Sequence, residues 1–246
     1  MELLPLAQEF AVTPVSGYPV GAVAAGIPND DGGWCNLYLG ANLELRNAAL
    51  NFTTHAEQAA VNNAWLNGEP GIQMLAVSAT PCGYCRQFLY ELTTAHQLLI
   101  LIPKRKGSLI YRSVPLTTLL PDAFGPNELK ITGALMNPGD RLPKLRLNNR
   151  SRSDSVIAEA LEAASRSYAP YSTRESFNYA GVAVQLEDGA IYAGRHAENA
   201  AYNPSLSPLL SALTFMNMSR ALNATRAVKR CVLVETPTLA SWEAPD

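Results

Sequence analysis

The apolar and polar positions of this chain follow two periods, and each predicts an element. Leu3 to Ala11 carries a short helical pattern that closes before Pro14. Val20 to Ala25 is an apolar, partly β-branched run and reads as a strand; Asn29-Asp30-Asp31-Gly32-Gly33 supplies a turn, and Asn36 to Leu43 the returning strand. Thr53 and Thr54 offer N-caps for a helix over His55 to Leu66, which Asn67-Gly68 stops. Met74 to Ser78 and Leu98 to Ile102 are apolar enough for buried strands. Between them Thr80-Pro81 opens a helix running from Cys82 to about Thr93. A helix, a hairpin and then alternating helix and strand over about 100 residues predict an α/β sandwich.

After Ser153 the pattern returns. Val156 to Arg166 is an amphipathic helix, Gly181 to Leu186 a strand, Glu187-Asp188-Gly189 a turn and Ala190 to Ala193 the partner strand. Gly21 falls on Gly181, Gly40 on Gly194, Glu44 on Glu198 and Thr80-Pro81 on Thr236-Pro237, at offsets of 160, 154, 154 and 156. So steady a register points to a duplicated domain. In that frame His196 and Glu198 fall on Asn42 and Glu44, so His196-Ala197-Glu198 is not a second copy of His55-Ala56-Glu57. The frame puts Leu209 and Ser211 opposite His55 and Glu57, and Thr238 and Ser241 opposite Cys82 and Cys85. The second copy therefore lacks metal ligands and is expected to be non-catalytic. Between the copies, residues 104–152 hold ten of the 19 basic residues against three acids, Asp122, Glu128 and Asp140. Prolines and glycines recur there without the interleaved aromatics of a single-strand groove, which predicts a solvated linker. The expected division is 1–103, a linker over 104–152, and 153–246.

With 48% hydrophobic and 16% charged residues, 246 positions suffice for a large core. Nineteen basic against 21 acidic residues leave −2, so no net field draws the chain to nucleic acid or anionic lipid. No apolar stretch approaches the ~20 residues that span a bilayer. Met1-Glu2-Leu3-Leu4-Pro5 lacks the basic start and apolar centre of a secretory signal, so a cytoplasmic chain without membrane partners is expected. Two structural disulfides among Cys35, Cys82, Cys85 and Cys231 would fit that compartment poorly.

The informative thiols are Cys82 and Cys85. His55-Ala56-Glu57 is followed, after 23 residues, by Pro81-Cys82-Gly83-Tyr84-Cys85, the spacing of zinc deaminases that act on nucleobases. Two cysteines one turn apart at a helix start can place both sulfurs on one face, where unpaired N–H groups favour thiolates. His55, opening the neighbouring helix, can supply a third ligand, leaving the fourth position of a catalytic zinc for water. Zinc can bring that water's pKa from ~15.7 to about 7. Glu57 is not needed as a ligand and can carry the water's proton to the ring and the leaving amine, a task typically worth ~10²–10⁴ in rate. A carboxylate in a first helical turn is common, and a lone C-x-x-C can be a redox pair or half a structural zinc knuckle. Neither explains both halves together, and no second C-x-x-C closes a four-cysteine site.

Several stretches outside this motif make the likeness more particular. They are Gly40-Ala41-Asn42-Leu43-Glu44, His55-Ala56-Glu57-Gln58, Thr80 to Phe88, Pro121-Asp122-Ala123-Phe124-Gly125-Pro126, Ser167-Tyr168-Ala169-Pro170-Tyr171-Ser172 and Ala197 to Pro204. Through them, residues 3 to about 242 resemble the homodimeric, two-domain cytidine deaminases of bacteria and plants. The resemblance implies a duplicated cytidine-deaminase-like α/β/α sandwich with a catalytic first copy and a degenerate second one. It implies hydrolysis of cytidine and deoxycytidine to uridine and deoxyuridine with release of ammonia. One zinc per chain would be held by His55, Cys82 and Cys85, with Glu57 as proton shuttle. Asn42 and Glu44 would grip the ribose 3′-hydroxyl. Tyr18, where the family usually has Phe, would stack on the pyrimidine, and Ala56 and Thr80 would complete the substrate-binding set. The second copy of a partner chain would wall the site with Asn199, Ala200, Ala201 and Tyr202. Against the family pattern, some tens of helical residues ahead of Leu3 and the last helix and strand of the second copy are missing. A polynucleotide deaminase and a catalytically weak binding paralogue are the competing readings; a gripped 3′-hydroxyl, esterified in a polymer, argues against the first.

Overall fold

The computed structural model describes residues 1–29, 33–105, 110–131, 134–137, 143–147, 154–171, 178–219 and 227–237. Asp30, Asp31 and Gly32 of the expected turn, Ser172, and the pair Thr238 and Ser241 lie outside them. Helix α1 (Leu4–Gln8) precedes the hairpin β1 (Gly21–Gly26) and β2 (Leu37–Ala41), helix α2 (Ala56–Leu66), strand β3 (Ile72–Val77), helix α3 (Gly83–Leu89) and strand β4 (Leu99–Pro103). Strand β5 (Tyr111–Pro115) and the short helix α4 (Leu116–Leu119) follow. These five strands form one sheet in the order β2-β1-β3-β4-β5, with β3 and β4 parallel and the other neighbours antiparallel. Leu4 and Ala7 of α1 cover one face at Val23 and Ala76. The other face, Ala22 and Ala24, meets Ala56, Ala60, Val61 and Ala64 of α2.

The linker expectation is corrected by β5 and α4. Both fall in the segment 104–152, yet Val114 and Leu116 are buried in the first core, and Leu135 and Met136 join them. Strand β5 completes the first sheet along β4, so the first unit extends past residue 103. Helix α2 begins one residue later than expected, with His55 itself as the N-cap. Thr54 cannot take that place because its backbone exchanges both hydrogen bonds with Leu43. Helix α3 ends at Leu89 rather than near Thr93. There the backbone pairs with Leu135 instead: Leu135 N–H donates to Glu91 and Thr93 N–H to Leu135.

The second unit repeats the scheme. Helix α5 (Ser155–Ser165) is capped by Asp154, whose carboxylate accepts from Val156 and Ile157. Strands β6 (Ala180–Leu186), β7 (Ile191–Arg195) and β8 (Val228–Glu235) form a sheet ordered β7-β6-β8, and helix α6 (Pro208–Met218) packs on the face opposite α5. The equivalences Asn42/His196 and Glu44/Glu198 hold: both segments make the same exchange, Val12 with Asn42 and Glu44 in one, Tyr168 with His196 and Glu198 in the other. The counterparts expected for His55 and Glu57 do not. Gly40 abuts Ala56 and Ala60, whereas Gly194 abuts Pro208 and Ala212, so α2 and α6 align at an offset of 152. Ser207 therefore lies opposite His55 and Leu209 opposite Glu57. The excursion from Leu43 to its bridge partner Thr54 is two residues longer than that from Ala197 to Leu206, and this sets the register back.

The units are not beads on a string. Helix α2 is buried along nearly its whole length, because one side faces β1 and β2 and another faces α6. Tyr168, Ala197 and Leu206 belong to the first core. Glu91, fully buried just after α3, accepts from the Tyr168 hydroxyl at 2.8 Å, the Tyr171 hydroxyl at 2.9 Å and Ala200 N–H at 2.7 Å. Burial pushes its carboxyl up from the ordinary range against those donors. Among the described residues no helix is long and apolar enough to cross a membrane.

The close approach of each helix to its sheet generates a prediction. A Cβ at Gly40 or Gly194 would sit well inside van der Waals distance of the helix backbone. Gly40→Ala and Gly194→Ala should each lower stability by about 1–3 kcal/mol, as overpacking of a core does. Urea midpoints measure this, and an unshifted midpoint contradicts the packing described.

Candidate active site

Two helix starts bring the chemistry together. His55 caps α2 in extended conformation (φ −79°, ψ 157°), and Cys82 caps α3 in the same way (φ −73°, ψ 170°), with Cys85 in the first turn behind it. His55 Nδ1 lies 3.6 Å from Cys82 Sγ and 3.2 Å from Cys85 Sγ, and the two sulfurs are 3.6 Å apart. The Tyr84 ring stacks on the imidazole, centroids 4.9 Å apart. Arg86 fastens the start of α3 by donating to the carbonyls of Pro81 and Leu119, both at 2.9 Å.

The three groups shift one another's protonation strongly. Hydrogen bonds from Cys85 and His55 hold the Cys82 thiol down at about 3. Cys85, the donor in that pair and buried, is pushed well up. The hydrogen bond to Cys82 raises His55. Zinc bonds of about 2.0–2.1 Å to nitrogen and 2.3 Å to sulfur, arranged tetrahedrally, separate N from S by about 3.6 Å and S from S by about 3.8 Å. The three donor atoms, all within 4.8 Å of one another, fit that ion. An imidazole with two thiols is also the donor chemistry zinc favours.

Glu57 sits one residue into α2, buried beside the cluster. Burial raises its carboxyl above the ordinary value, opposed by hydrogen bonds from its own backbone N–H and from Cys85. A cavity of about 330 Å³ opens in front of it. The structure brings His55, Ala56, Glu57, Thr80, Cys82, Tyr18, Asn42 and Glu44 to its wall. Ser16 and Leu50, which no sequence pattern marks, line it too, as does Thr53, read from the sequence only as a helix cap.

Asn42 and Glu44 have structural work here as well. Asn42 Oδ1 accepts from Val20 N–H at 2.8 Å and its amide donates to the Tyr18 carbonyl at 3.0 Å. Glu44 Oε2 accepts from Val15 and Ser16 N–H at 2.9 and 3.0 Å, and its Oε1 from the Ser16 hydroxyl. Burial raises the Glu44 carboxyl, but these donors outweigh it and leave the group below its ordinary value. Together the two side chains hold the loop that carries Tyr18, half exposed, to the cavity rim.

Asn199 to Tyr202 are not brought to this cavity. The Asn199 amide donates to the Gln87 carbonyl at 3.0 Å and Ala200 N–H to Glu91, so both are buried against the chain's own α3 region. Tyr202 stands out with 81% of its surface exposed and a left-handed backbone (φ 59°). Gln58 was quoted only as part of a motif. It lies on the inner side of the site, with its Oε1 accepting from His55 N–H at 3.3 Å. The glutamine at the third helical position, able to reach back to the cap, was the available sign.

A family model described as the cytidine and deoxycytidylate deaminase zinc-binding region matches residues 1–100, and a second of the same description matches residues 116–243. The cytidine deaminase of Sodalis glossinidius (strain morsitans) is 44% identical over 252 residues, covering 98% of this chain and 76% of that protein. That of Photorhabdus laumondii subsp. laumondii is 46% identical over 233 residues, covering 95% and 71%. The crystal structure of cytidine deaminase from Burkholderia pseudomallei, 33% identical, covers 50% of this chain and 94% of its own at a TM-score of 0.41.

The depressed Cys82 thiol can be checked in protein stripped of metal. At pH 5 an ordinary cysteine, with a pKa near 8.5, is almost wholly protonated and inert to iodoacetamide. Cys82, exposed and titrating at about 3, should be alkylated there. Mass spectrometry of digested peptides reads the site, and labelling of Cys82 that begins only above pH 8 contradicts the assignment.

Proposed function

This chain belongs to the cytidine and deoxycytidylate deaminase family, and from that footing we propose that His55, Cys82 and Cys85 hold its zinc while Glu57 moves the protons in the hydrolysis of cytidine and deoxycytidine. The observation that carries the reading is a buried carboxyl lining a cavity that His55 and Cys82 also line, with the buried Cys85 sulfur 3.2 Å from the imidazole completing a cluster of one nitrogen and two sulfurs. When bound, the zinc supplies a Lewis acid that makes a water nucleophilic near neutral pH. Glu57 takes a proton from the water that attacks C4 and gives it to N3 of the ring. It then takes the remaining proton of that oxygen and gives it to the amino group, so the C4–N bond breaks with ammonia leaving and a carbonyl remaining. The product is uridine or deoxyuridine. Burial keeps the Glu57 carboxyl basic enough to accept each proton and acidic enough to return it.

The remaining residues position the nucleoside. Tyr18 offers its ring face to the pyrimidine at the rim, and Ala56 and Thr80 shape the wall beside Glu57. Asn42 uses one amide N–H on Tyr18 and keeps the other, so a ribose hydroxyl can accept from Asn42 while donating to Glu44. Two of the proposed ligands must stay as thiols, which suits a reducing, cytoplasmic compartment. Tyr18, Leu50 and Phe52 are about half exposed, the first two at the cavity. This supports a homodimer in which a second copy closes the cavity. Since Asn199 and Ala200 are occupied within their own chain, Tyr202 is the side chain of that segment best placed to reach a partner.

Loss of absorbance as cytidine is converted tests the reading. Glu57→Gln should lower kcat about 10²–10⁴-fold while metal analysis still finds one zinc per chain. Turnover that survives this change sinks the proton-carrier role. Glu44→Gln should raise KM for cytidine about tenfold, in line with losing a charged hydrogen bond, and leave 3′-deoxycytidine nearly unaffected; an equal rise for both confines Glu44 to bracing the Tyr18 loop. Sedimentation should give twice the chain mass of 26.5 kDa, and a monomer with full activity refutes the shared site.

A further inference from the structure

The repeat without metal ligands reaches the metal-binding histidine through one side chain. We propose that Gln58 is a positioning residue by which the second repeat, through the carbonyl of Pro204, fixes the backbone of His55 and so the placing of its imidazole for zinc; this rests on the assignment of His55, Cys82 and Cys85 as zinc ligands.

Gln58 is 1% exposed. Its Oε1 accepts from His55 N–H at 3.3 Å, and its Nε2 donates to the Pro204 carbonyl at 3.1 Å, 146 residues along the chain. His55 stands outside the helix in extended conformation, where no intrahelical bond restrains its N–H. The Gln58 amide is what holds it. The far end of that amide is equally determined, because the buried Pro204 carbonyl accepts only from the NH2 side; a flipped amide would set two carbonyl oxygens face to face. Pro204 is itself braced. Asn199 N–H donates to the Ser205 hydroxyl at 3.0 Å, Ser205 N–H to Tyr202, and Leu206 exchanges both backbone bonds with Ala197. A rigid turn of the second repeat thus sets the amide, the amide sets the His55 backbone, and the backbone sets the ring that faces both sulfurs.

The chemistry narrows the residue types that can do this. A primary amide presents an acceptor and a donor in opposite directions; a carboxylate presents acceptors only, and a thioether neither in strength. A second polar tie between α2 and the second repeat serves as an internal control. Asn62, one turn further along α2, donates to the Ser211 carbonyl at 3.0 Å and accepts from the Ser211 hydroxyl at 2.6 Å. It joins the repeats as Gln58 does, but its side-chain hydrogen bonds go to Ser211 and not to a proposed zinc ligand.

The experiment compares Gln58→Met and Gln58→Glu with Ser211→Ala in the zinc-loaded full chain. Gln58→Met removes both bonds, and the one Gln58 makes to the Tyr84 hydroxyl, at nearly unchanged volume; Gln58→Glu keeps the acceptor for His55 and loses the donors to Pro204 and Tyr84. Both should speed zinc release to a chelator about 10–100-fold, the scale seen when groups that orient a metal ligand are removed. Both should lower kcat about tenfold or more with KM for cytidine within about threefold. The visible bands of the cobalt-substituted protein should shift in both. Ser211→Ala should lower the melting temperature with zinc release, kcat and cobalt bands as in wild type. Gln58 variants that lose stability alone, as Ser211→Ala does, overturn the proposal. Unchanged zinc release in Gln58→Glu with faster release in Gln58→Met confines the effect to the cap and overturns the part assigned to Pro204. A wild-type chain that takes up no zinc removes the ligand assignment first, and the positioning role with it.

Discussion

Helix α2 lies against strand β2 at a distance that only a glycine on the strand and alanines on the helix permit, and the position of nearly everything chemical follows from that contact. With Gly40 between them, the helix backbone and the sheet are nearly touching, so α2 has almost no freedom to slide or tilt. Its first residues then fall at the end of β2, where Asn42 and Glu44 leave the sheet. The N-cap histidine and the carboxyl two residues later are delivered to one point without side chains of their own to guide them. Strand β3, antiparallel to β1 on its other edge, ends at the same level and hands the chain to α3, whose first turn carries both sulfurs. The meeting point of the proposed zinc ligands is thus set by sheet order and one close helix contact.

A helix packed that tightly on one side still has another to bury. Helix α6 of the second repeat covers it, and the seam is polar at chosen points: Gln58 to Pro204, Asn62 to Ser211, and Asn217 of α6 to the Phe10 carbonyl at 2.7 Å. Isolated polar groups in such a place would each cost about 1–3 kcal/mol, so their pairing defines one register of α2 on α6 and penalises the others. Glu91 does the same for α3, gathering two tyrosine hydroxyls and an N–H of the second repeat around one carboxylate. Both helices that bear the proposed metal ligands are therefore fastened to the repeat whose described residues offer no such set. That gives a physical reason for the chain to keep the second copy: it holds both helices of the candidate site in place.

What was legible in the sequence followed from range. The histidine, glutamate and cysteines form local patterns, a few residues each, whose chemistry does not depend on the rest of the fold. The first hairpin, α2 and the alternation of helix and strand were equally local. Strand β5 was not: Tyr111-Arg112-Ser113-Val114-Pro115 is an edge strand with one fully buried side chain, so it carries almost no hydrophobic period and sits among basic residues that read as solvated. Only its pairing with β4 reveals it. The true end of α3 was hidden for a similar reason, since the pattern continues helically to Thr93 while a distant segment at Leu135 claims the backbone. The counterparts of His55 and Glu57 were missed by two residues because the length change lies in the loop before the helix, beyond the last strand landmark. Gln58 could be seen as a capping partner, but its tie to Pro204 spans 146 positions and has no local trace.

The two repeats also separate architecture from chemistry within a single molecule. Gly40 and Gly194 both press on their helices, and Glu44 and Glu198 both hold the segment that precedes the first strand of their unit, Glu198 by accepting from Tyr171 N–H at 2.9 Å and from Asn178 at 2.7 Å. These features persist where no metal ligands stand, so they are requirements of the sandwich. His55 against Ser207 and Glu57 against Leu209 differ, and they differ at positions where the backbone is the same: both helices begin with an extended cap residue, and Ser207 fills the role ordinarily, its hydroxyl accepting from Leu210 N–H. The cap position can thus serve the helix alone, as in α6, or the helix and a ligand cluster together, as in α2. In α6 the side chain satisfies its own helix, as caps usually do. In α2 the cap is reciprocal: the imidazole, which also faces the sulfurs, pairs with the N3 backbone, and the side chain of Gln58 at N3 accepts from the cap N–H. The cap residue of α2 is tied by its backbone N–H to Gln58 and through Gln58 to Pro204, which is the physical link between the proposed metal chemistry and the seam joining the repeats.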